Sequence, residues 1–410
     1  MSIQLIPELE NGAKIRVVGV GGGGGNIVNS MVNKGIEGVE FVSINTDAQV
    51  LDVSKANVKI QIGRNITKGL GTGMKDDVGL KAVEENRDSI EKALNGSDMV
   101  FVTAGMGGGT GTGGAPEVAH IAKSMNALVV AVVTTPFNFE GKPRMNLANL
   151  GLSRLKEEVD SLIVIPNQKI LELINEETTK TQAFEFANKV LYNATRGISQ
   201  IITKTGEINV DFADVRTIMK DMGDAMIGTG IADGDGRAEK AAFDALSNPL
   251  LDNVDISGSK CVLVNIASNG AIKMSEIERI NEIIKDKAGD QSTYIFGIVD
   301  DKEMKDEIMV TVIATGFKEE VVELNEEKTS EVSNELQVGK ITSLPTTQQE
   351  LSELDKPAIF RRKKDIIIND DLSEDVVTKK DDSLEKFGFD DLNLEEKEYT
   401  KPAFLRRQMD

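Results

Sequence analysis

The chain contains few of the residues from which cross-links and metal sites are built. It has one cysteine, Cys261, and one histidine, His120, in 410 residues. A lone cysteine cannot form an internal disulfide, and one histidine with one distant cysteine cannot make a zinc site. Because Cys261 lies in the apolar run 260–266, we expect a buried strand residue, and the absence of cross-links suits a reducing cytosol.

Long hydrophobic runs and an excess of positive charge are also missing. No run reaches the roughly eighteen apolar residues of a membrane-spanning helix, and residues 1–12 lack the apolar core of a signal peptide. The formal net charge of -20 argues against a general affinity for nucleic acid, which depends on neutralising phosphates. We therefore expect a cytoplasmic protein that does not bind nucleic acid and contacts membranes only indirectly.

Glycine is abundant, and its densest stretch is 105–114, where seven of ten residues are glycine. This stretch follows the apolar run 99–104 and precedes a helical pattern from Ala115, which predicts a strand, a glycine loop and a helix start. Glycines let a ligand approach bare backbone N–H groups, and a helix start attracts anions. The sequence therefore predicts a phosphate-binding loop, with a flexible turn or close helix packing as the alternative.

A second glycine loop, 21–25, lies between an apolar strand pattern and a helical one. Gly19, Gly21 and Gly24 match the dinucleotide-binding fingerprint, and Asp47 lies where that fold places its ribose-binding acid. A nicotinamide-dependent oxidoreductase is thus a competing interpretation, and a turn or helix cap is the alternative role for Asp47. Two glycine loops after different strands disfavour a nicotinamide site, and neither contains the Gly-Lys-Ser/Thr of a P-loop.

Apolar strands that alternate with helices predict a parallel sheet covered on both faces, with ligands at the carboxyl ends of the strands. Strands are predicted at 14–20, 39–44, 58–62, 98–104, 128–134 and 161–165, with helices at 27–33 and 78–94 and a long central helix at 181–203. A second, smaller α/β unit follows, with strands at 225–231, 261–266, 292–298 and 307–315 and helices at 237–246 and 274–285.

The last part of the chain, 318–410, has a different composition. Its 15 basic and 24 acidic residues give a net charge of -9, and few apolar clusters occur, so we expect most of it to be disordered. Within it, 356–362 reads Lys-Pro-Ala-Ile-Phe-Arg-Arg and 401–407 reads Lys-Pro-Ala-Phe-Leu-Arg-Arg. This internal repeat suggests two partner-docking peptides, although 356–362 fits a plain linker equally well.

Taken together, these motifs resemble the tubulin/FtsZ family. The stretch Gly107–Gly113 is similar to the signature loop of that family, and 45–49, 136–141, 209–215 and 402–407 resemble further motifs of its bacterial cell-division branch. The resemblance covers 14–317 and the last dozen residues. It implies a GTPase that polymerises head to tail into filaments of the division ring at mid-cell.

The resemblance also implies a domain organisation and a fold class. The fold class is α/β, with a parallel-sheet Rossmann-like GTPase domain joined by a long central helix to a second, smaller α/β domain, and a disordered C-terminal tail. The implied segments are an N-terminal extension at 1–13, a GTP-binding domain at 14–178, the central helix at 179–207, a GTPase-activating domain at 208–317, an acidic linker at 318–398 and a peptide at 399–410 that binds division and membrane-adaptor proteins.

The resemblance further implies GTP or GDP as the ligand, bound with Mg²⁺, and assigns site residues. Those implied to bind the nucleotide are Gly21, Gly22, Gly23, Asn26, Asn45, Asp47, Gly73, Gly105, Gly107, Gly108, Gly109, Thr110, Gly111, Thr112, Gly113, Pro136, Glu140, Arg144, Asn167, Phe184 and Asn188. Among them, Glu140 and Arg144 fall at ribose and phosphate contacts, and Asn167, Phe184 and Asn188 fall near the guanine.

Catalysis is implied for Asn209, Asp211 and Asp214 of one subunit, acting on the nucleotide of the next. Helix capping alone would also explain the spacing of the two aspartates. Two departures from the family pattern are Met74-Lys75-Asp76-Asp77, where Ala-Asn-Pro-Glu is usual, and Pro143, where a basic residue is usual. We expect Asp76 and Asp77 to weaken nucleotide binding by repulsion, which keeps a non-hydrolysing scaffold as a third interpretation.

Overall fold

The computed structural model describes residues 12–173, 178–203, 210–247, 256–289, 291–301 and 304–317. Its strands are β1 (Ile15–Val20), β2 (Val39–Asn45), β3 (Val58–Gln61), β4 (Met99–Gly105), β5 (Leu128–Thr135), β6 (Ser161–Pro166), β7 (Gly223–Asp233), β8 (Cys261–Ser268), β9 (Thr293–Asp300) and β10 (Glu307–Thr315). Its α-helices are α1 (Gly21–Asn33), α2 (Ala48–Asp52), α3 (Arg64–Thr67), α4 (Asp76–Glu85), α5 (Arg87–Leu94), α6 (Thr110–Ser124), α7 (Lys142–Glu158), α8 (Asn167–Leu173), α9 (Lys180–Thr203), α10 (Phe212–Met219), α11 (Arg237–Leu246) and α12 (Met274–Ala288).

All the strands lie in one ten-stranded sheet, in the order β3-β2-β1-β4-β5-β6-β7-β10-β8-β9. The first seven strands in this order are parallel, and β10 runs antiparallel to β7 and β8. The predicted second unit is therefore joined to the first by backbone hydrogen bonds between β6 and β7. The predicted α/β class with a mostly parallel sheet is confirmed.

Helices cover both faces of the sheet, as the near-continuous apolar strands require. One face packs against α1, α9 and α10, and the opposite face of the first six strands packs against α4, α5, α6 and α7. Alternate residues of β8 point to opposite faces, so Leu263 joins the core under α9 and Val264 joins a third core under α11 and α12.

Helix α9 runs across one face of the sheet, from the carboxyl ends of the parallel strands to their amino ends. Near its start, Phe184 makes an edge contact with Phe137, which follows β5, with ring centroids 5.7 Å apart. Its last residue, Thr203, lies beside Gly38, which directly precedes β2. The 24 residues of α9 span about 36 Å at 1.5 Å per residue. Within the described ranges, no helix is both long enough and apolar enough to cross a bilayer.

Several predicted helix boundaries are wrong. Helix α1 begins at Gly21 and not at Ile27, and α6 begins at Thr110 and not at Ala115, so much of both glycine stretches is helical. The single helix predicted at 78–94 is two helices that meet at Asn86, whose side chain accepts a hydrogen bond from Gly63 N at 2.8 Å. The N-terminal extension up to 11 and the whole tail, 318–410, lie outside the described residues.

Candidate functional site

The predicted nucleotide-binding residues come together at the carboxyl edge of the parallel strands. By carboxyl edge we mean the side of the sheet where these strands end, which is formed by the segments that follow β1 to β6 in the chain. It carries Gly21, Gly22, Gly23 and Asn26 on α1, Asn45 and Asp47 after β2, Gly73 before α4, Gly105 to Gly113 after β4, Pro136, Glu140 and Arg144 after β5, and Asn167 after β6. Phe184 reaches this edge from the first turns of α9, and Asn188 lies one turn further along the same helix.

The two glycine stretches pack directly against each other. Gly21 has a φ of +73°, which favours glycine, and a Cβ there would lie 2.9 Å from Gly111 N. A Cβ at Gly23 would lie 3.0 Å from the backbone of Gly105. Any side chain at these positions would push the start of α1 away from the loop after β4. Close backbone packing therefore explains these glycines without a ligand.

The same reasoning applies to other glycines of the signature loop. A Cβ would lie 1.9 Å from Thr72 Oγ1 at Gly109, 1.9 Å from Asp76 O at Gly113, and 2.6 Å from Pro136 Cγ at Gly107. Gly107 also has a φ of +89°. The packing alternative, which the sequence left open, thus accounts for a large part of the motif.

Four glycines at this edge have open space where a side chain would be, and three of them are predicted site residues. Apart from the two chain neighbours and, for Gly22, the nearby backbone of its own helix, no described heavy atom would lie within 4 Å of a Cβ at Gly22, Gly73 or Gly108. These are the positions where a ligand can reach bare backbone. Gly71, in the small-residue segment 69–73, is also open, with a φ of +85°, and was not among the predicted site residues.

The start of α6 supplies hydrogen-bond donors at the centre of the edge. The first N–H groups of a helix have no partner within the helix, and the helix dipole adds partial positive charge there. Thr110 Oγ1 lies 2.9 Å from Thr46 Oγ1 and 3.5 Å from Thr72 Oγ1, and Thr112 Oγ1 accepts a hydrogen bond from Gly107 N at 2.9 Å. Thr46 and Thr72 were not among the predicted site residues.

Asp47 is a helix cap. Its Oδ1 accepts hydrogen bonds from Gln49 N at 2.9 Å and Val50 N at 3.3 Å, at the start of α2. The buried Asn45 side chain in turn accepts from Asp47 N at 3.2 Å. The capping alternative for Asp47 is therefore what the geometry shows, and Asn45 holds the turn that presents it.

Arg144 brings a positive charge to the glycine loop. Its Nε donates to Gly107 O at 3.3 Å, and its guanidinium pairs with Glu140 Oε2 at 2.7 Å. Glu140 is held from the other side, because its Oε1 accepts from Phe137 N at 2.9 Å. Pro143 lies in the first turn of α7, where a missing N–H breaks no helical hydrogen bond, so this departure from the family pattern is accommodated.

The far end of the edge is aromatic and contains an unsatisfied acceptor. Phe137 stacks on Phe139 at 5.0 Å, and Phe184 is 44% exposed beside them. Asn167 at the start of α8 is buried, and its Oδ1 has no hydrogen-bond partner among the described residues. A buried acceptor without a donor is costly, so this position fits a ligand that brings N–H groups and a flat ring. Asn188 is half-buried one turn beyond Phe184, and Asn26 is exposed on α1.

The acidic pair after Met74 does not present two free charges to the site. Asp76 Oδ2 accepts from Arg154 NH1 of α7 at 2.8 Å, and Asp77 lies 3.9 Å from Lys81. Both aspartates lie in the first turn of α4, where the helix dipole favours negative charge. The repulsion expected from Asp76 is therefore offset by Arg154.

Asp211 and Asp214 are not at this edge. Asp211 caps α10, accepting from Ala213 N at 3.4 Å, and both carboxylates are exposed. Helix α10 lies against the opposite edge, because Arg216 donates to Asn126 O, just before β5, at 3.2 Å. Asn209 lies outside the described residues. In the described ranges, no group of three or more His, Cys, Asp or Glu side chains is arranged to hold a metal ion.

Glycine turns at the carboxyl ends of neighbouring parallel strands, with a helix start aimed at the same edge, define a nucleotide-binding α/β protein. The family described as "Tubulin/FtsZ family, GTPase domain" matches residues 14–175, and "FtsZ family, C-terminal domain" matches 223–318. The chain belongs to the FtsZ family of tubulin-like, cell-division GTPases. Such a GTPase binds guanine nucleotides, and this excludes the nicotinamide-dependent oxidoreductase.

Individual relatives agree with this assignment. The cell division protein FtsZ of Buchnera aphidicola subsp. Schizaphis graminum is 53% identical over 310 residues, covering 76% of this chain and 81% of that protein. The Coxiella burnetii protein of the same name is 51% identical over 305 residues, covering 74% and 79%. Among solved structures, an FtsZ dimer of M. jannaschii superposes with a TM-score of 0.71 at 45% identity, covering 74% of this chain and 88% of that one. A protofilament of CetZ2 from Haloferax volcanii, at 22% identity and a TM-score of 0.63, covers 78% of this chain and 98% of that one and shares the fold.

Proposed function

We propose that this chain hydrolyses GTP to GDP and phosphate at a site shared by two subunits of a head-to-tail filament, which forms the division ring in the cytoplasm at mid-cell. The observation that carries the proposal is the separation of the two half-sites. The glycine loops lie at the carboxyl edge of the sheet, whereas Asp211 and Asp214 lie at the amino edge.

The two edges are too far apart for Asp211 and Asp214 to reach a nucleotide bound by their own chain. Strand β4 has seven residues and β5 has eight, which is roughly 23 to 26 Å at about 3.3 Å per residue. A side chain that orients an attacking water must lie within hydrogen-bond reach of it. If Asp211 and Asp214 take part in hydrolysis, they therefore act on a nucleotide held by a neighbouring chain.

The carboxyl edge fits a guanine nucleotide in its chemistry. In our proposal the open backbone at Gly22 and Gly108, the start of α6 and Arg144 hold the phosphates. The unpaired Oδ1 of Asn167 accepts from the guanine, which stacks near Phe184. We propose that the other predicted residues of this edge also contact the nucleotide. Asp47 is the exception, because its carboxylate accepts hydrogen bonds as the cap of α2.

Mg²⁺ would be bound mainly through the phosphates and would neutralise their developing charge. The protein's own part in the reaction is to position the phosphates and to orient a water through Asp211 and Asp214, with Asn209 beside them. In this arrangement 14–178 is the GTP-binding domain, 179–207 the central helix and 208–317 the domain that supplies the carboxylates.

Joining one edge of the sheet to the opposite edge of the next copy is a heterologous contact, and such a contact that does not close produces a filament. The similar M. jannaschii FtsZ structure is a dimer, which supports self-association.

The proposal is tested by complementation between two defective variants. Asp214→Ala leaves the nucleotide edge intact, and Arg144→Ala weakens the nucleotide edge but leaves Asp214 intact. Each alone should turn over little GTP, whereas an equal mixture should recover activity, because one interface in four pairs an intact nucleotide edge with an intact carboxylate. The exposed carboxylate of Asp88 on α5 provides the matched control, Asp88→Ala.

A site contained within one chain predicts no recovery in the mixture, and a specific turnover rate that is independent of protein concentration would also refute the shared site. If Asp214→Ala and the wild type turn over GTP at the same rate, Asp214 has no part in hydrolysis. That result would favour the non-hydrolysing scaffold, with the turnover of both preparations due to a contaminant.

The tail repeat supports a further proposal about partners. We propose that 399–410 binds division and membrane-adaptor proteins and that 356–362 is a second docking peptide of the same kind, since the two copies share Lys, Pro, Ala and both Arg. Two copies on one chain raise avidity for a multivalent partner. Synthetic peptides of both segments should compete for the same protein, and deletion of 356–362 should weaken its binding; unchanged affinity would reduce 356–362 to linker.

A further inference from the structure

Three threonine hydroxyl groups from three separate segments of the chain meet at the start of α6. Thr46 follows β2, Thr72 precedes α4, and Thr110 is the first residue of α6. Thr110 Oγ1 is the common member, 2.9 Å from Thr46 Oγ1 and 3.5 Å from Thr72 Oγ1. The Thr72 hydroxyl also lies against Gly109, so this hydroxyl cluster is packed into the signature loop.

Thr46 is completely buried, with 0% of its surface exposed, and Thr110 is 8% exposed. Thr46 therefore cannot touch a ligand, whereas Thr110 lies at the edge of the site. Among the described residues, the hydroxyl of Thr46 has Thr110 Oγ1 as its hydrogen-bond partner. Any effect of Thr46 on the ligand must pass through Thr110.

The chemistry of hydroxyl groups gives this contact a direction. A hydroxyl has one proton, and ionised phosphate oxygens only accept hydrogen bonds. When Thr110 donates its proton to a phosphate, its oxygen can only accept from Thr46. A Thr110 that donated to Thr46 would turn its lone pairs towards the phosphate and repel it.

We propose that Thr46 is a positioning residue for phosphate binding: its buried hydroxyl donates to Thr110 and thereby directs the proton of Thr110 towards the nucleotide. This inference rests on the proposed phosphate site at 105–113. In a buried chain of hydrogen bonds each bond also polarises the next, which strengthens the bond from Thr110 to the phosphate. Thr72, at its longer distance, supports the same geometry more weakly.

Thr46→Val tests this step because valine has the shape of threonine and lacks the donor. Loss of one buried hydrogen bond should weaken binding of a non-hydrolysable GTP analogue about three- to tenfold. Thr46→Ser restores the hydroxyl and should bind within about twofold of the wild type. Guanosine, which has no phosphate, should bind Thr46→Val and wild-type protein equally. Titration calorimetry on the full chain, freed of nucleotide, measures all of these affinities.

A double-mutant cycle with Thr110→Val separates positioning from general damage. In the Thr110→Val background, Thr46→Val should change affinity for the analogue by less than about twofold. Equal weakening in both backgrounds, or wild-type affinity of Thr46→Val, overturns the inference. If Thr110→Val itself binds the analogue as the wild type does, the phosphate assignment fails, and the role of Thr46 fails with it.

Discussion

The glycines of the site fall into two kinds, and substitution by alanine should separate them. Gly113 on α6 has Asp76 O 1.9 Å from the place where a Cβ would be, so two helices touch there through their backbones. At Gly22 on α1, no described heavy atom other than its chain neighbours and the nearby backbone of its own helix lies within 4 Å of that place. Gly113→Ala should therefore damage the fold, whereas Gly22→Ala should damage only ligand binding.

The magnitudes follow from the contacts. The clash at Gly113 is with the backbone of α4, which would have to move by more than 1 Å, and overpacking of this kind costs about 3 kcal/mol or more. Gly22 has a helical backbone with a φ outside the left-handed region, so alanine there should leave stability unchanged or raise it by up to about 1 kcal/mol.

Thermal unfolding and nucleotide titration provide the two readouts. In domains of about 200 residues, each kcal/mol corresponds to roughly 2–4 °C in Tm, so Gly113→Ala should unfold about 6–12 °C below the wild type. Gly22→Ala should unfold at or slightly above the wild-type temperature. Its GTP affinity should fall at least about tenfold, because a methyl group would occupy the space where we place the phosphates.

Gly258 supplies the control, because it also has open space at its Cβ and lies in a short 3-10 helix remote in sequence from every loop of the site. Gly258→Ala should change neither Tm nor affinity. Wild-type stability of Gly113→Ala, or a loss of stability in Gly22→Ala equal to that of Gly113→Ala, would falsify the division into packing glycines and ligand glycines.

Three further predictions concern charge. Arg237 is buried and donates to both carboxylate oxygens of Glu276, so Arg237→Gln should cost about 2–4 kcal/mol in chemical denaturation. The hydrogen bond from Arg237 lowers the pKa of Glu276, so the ionised Glu276 stabilises the folded protein above its ordinary pKa. This stabilisation is lost as pH falls through the lowered pKa, and Arg237→Gln should therefore show a smaller loss of stability in acid than the wild type. Burial raises the pKa of Tyr294, so stability should fall above about pH 10, where the unfolded chain ionises first, and Tyr294→Phe should flatten that limb. Arg154→Gln removes the partly exposed partner of Asp76 and should weaken GTP binding at most about threefold. At high salt the ion pair is screened, so the wild type and the variant should bind GTP with equal affinity.

The sequence allowed prediction of the order and class of the elements but not the starts of α1 and α6. Glycine is a poor helix former, so the sequence predicts that these helices begin at Ile27 and Ala115. The structure begins them earlier because only glycine lets α1 and α6 approach the neighbouring loop and α4 so closely. Tertiary packing overrides local propensity at these positions.

Contacts between residues distant in the chain were beyond sequence reasoning. Thr46 with Thr110 and Asp76 with Arg154 are 64 and 78 residues apart, and no local period or spacing relates them. The placement of Asp211 opposite the glycine loops likewise depends on α9, which carries the chain from one edge of the sheet to the other. The spacing of Asp211 and Asp214 indicated a helix start but not the edge of the sheet where it would lie.

The positions of the half-sites at opposite edges of the sheet have a consequence for the ends of a filament. In the head-to-tail arrangement proposed above, every internal nucleotide faces carboxylates of the next subunit, but the outermost carboxyl edge faces only solvent. The subunit at that tip would hold its GTP without a hydrolytic partner until another subunit arrives. One end of the filament would therefore always carry unhydrolysed nucleotide. The arrival of each new subunit would allow hydrolysis to begin in the subunit that had been at the tip.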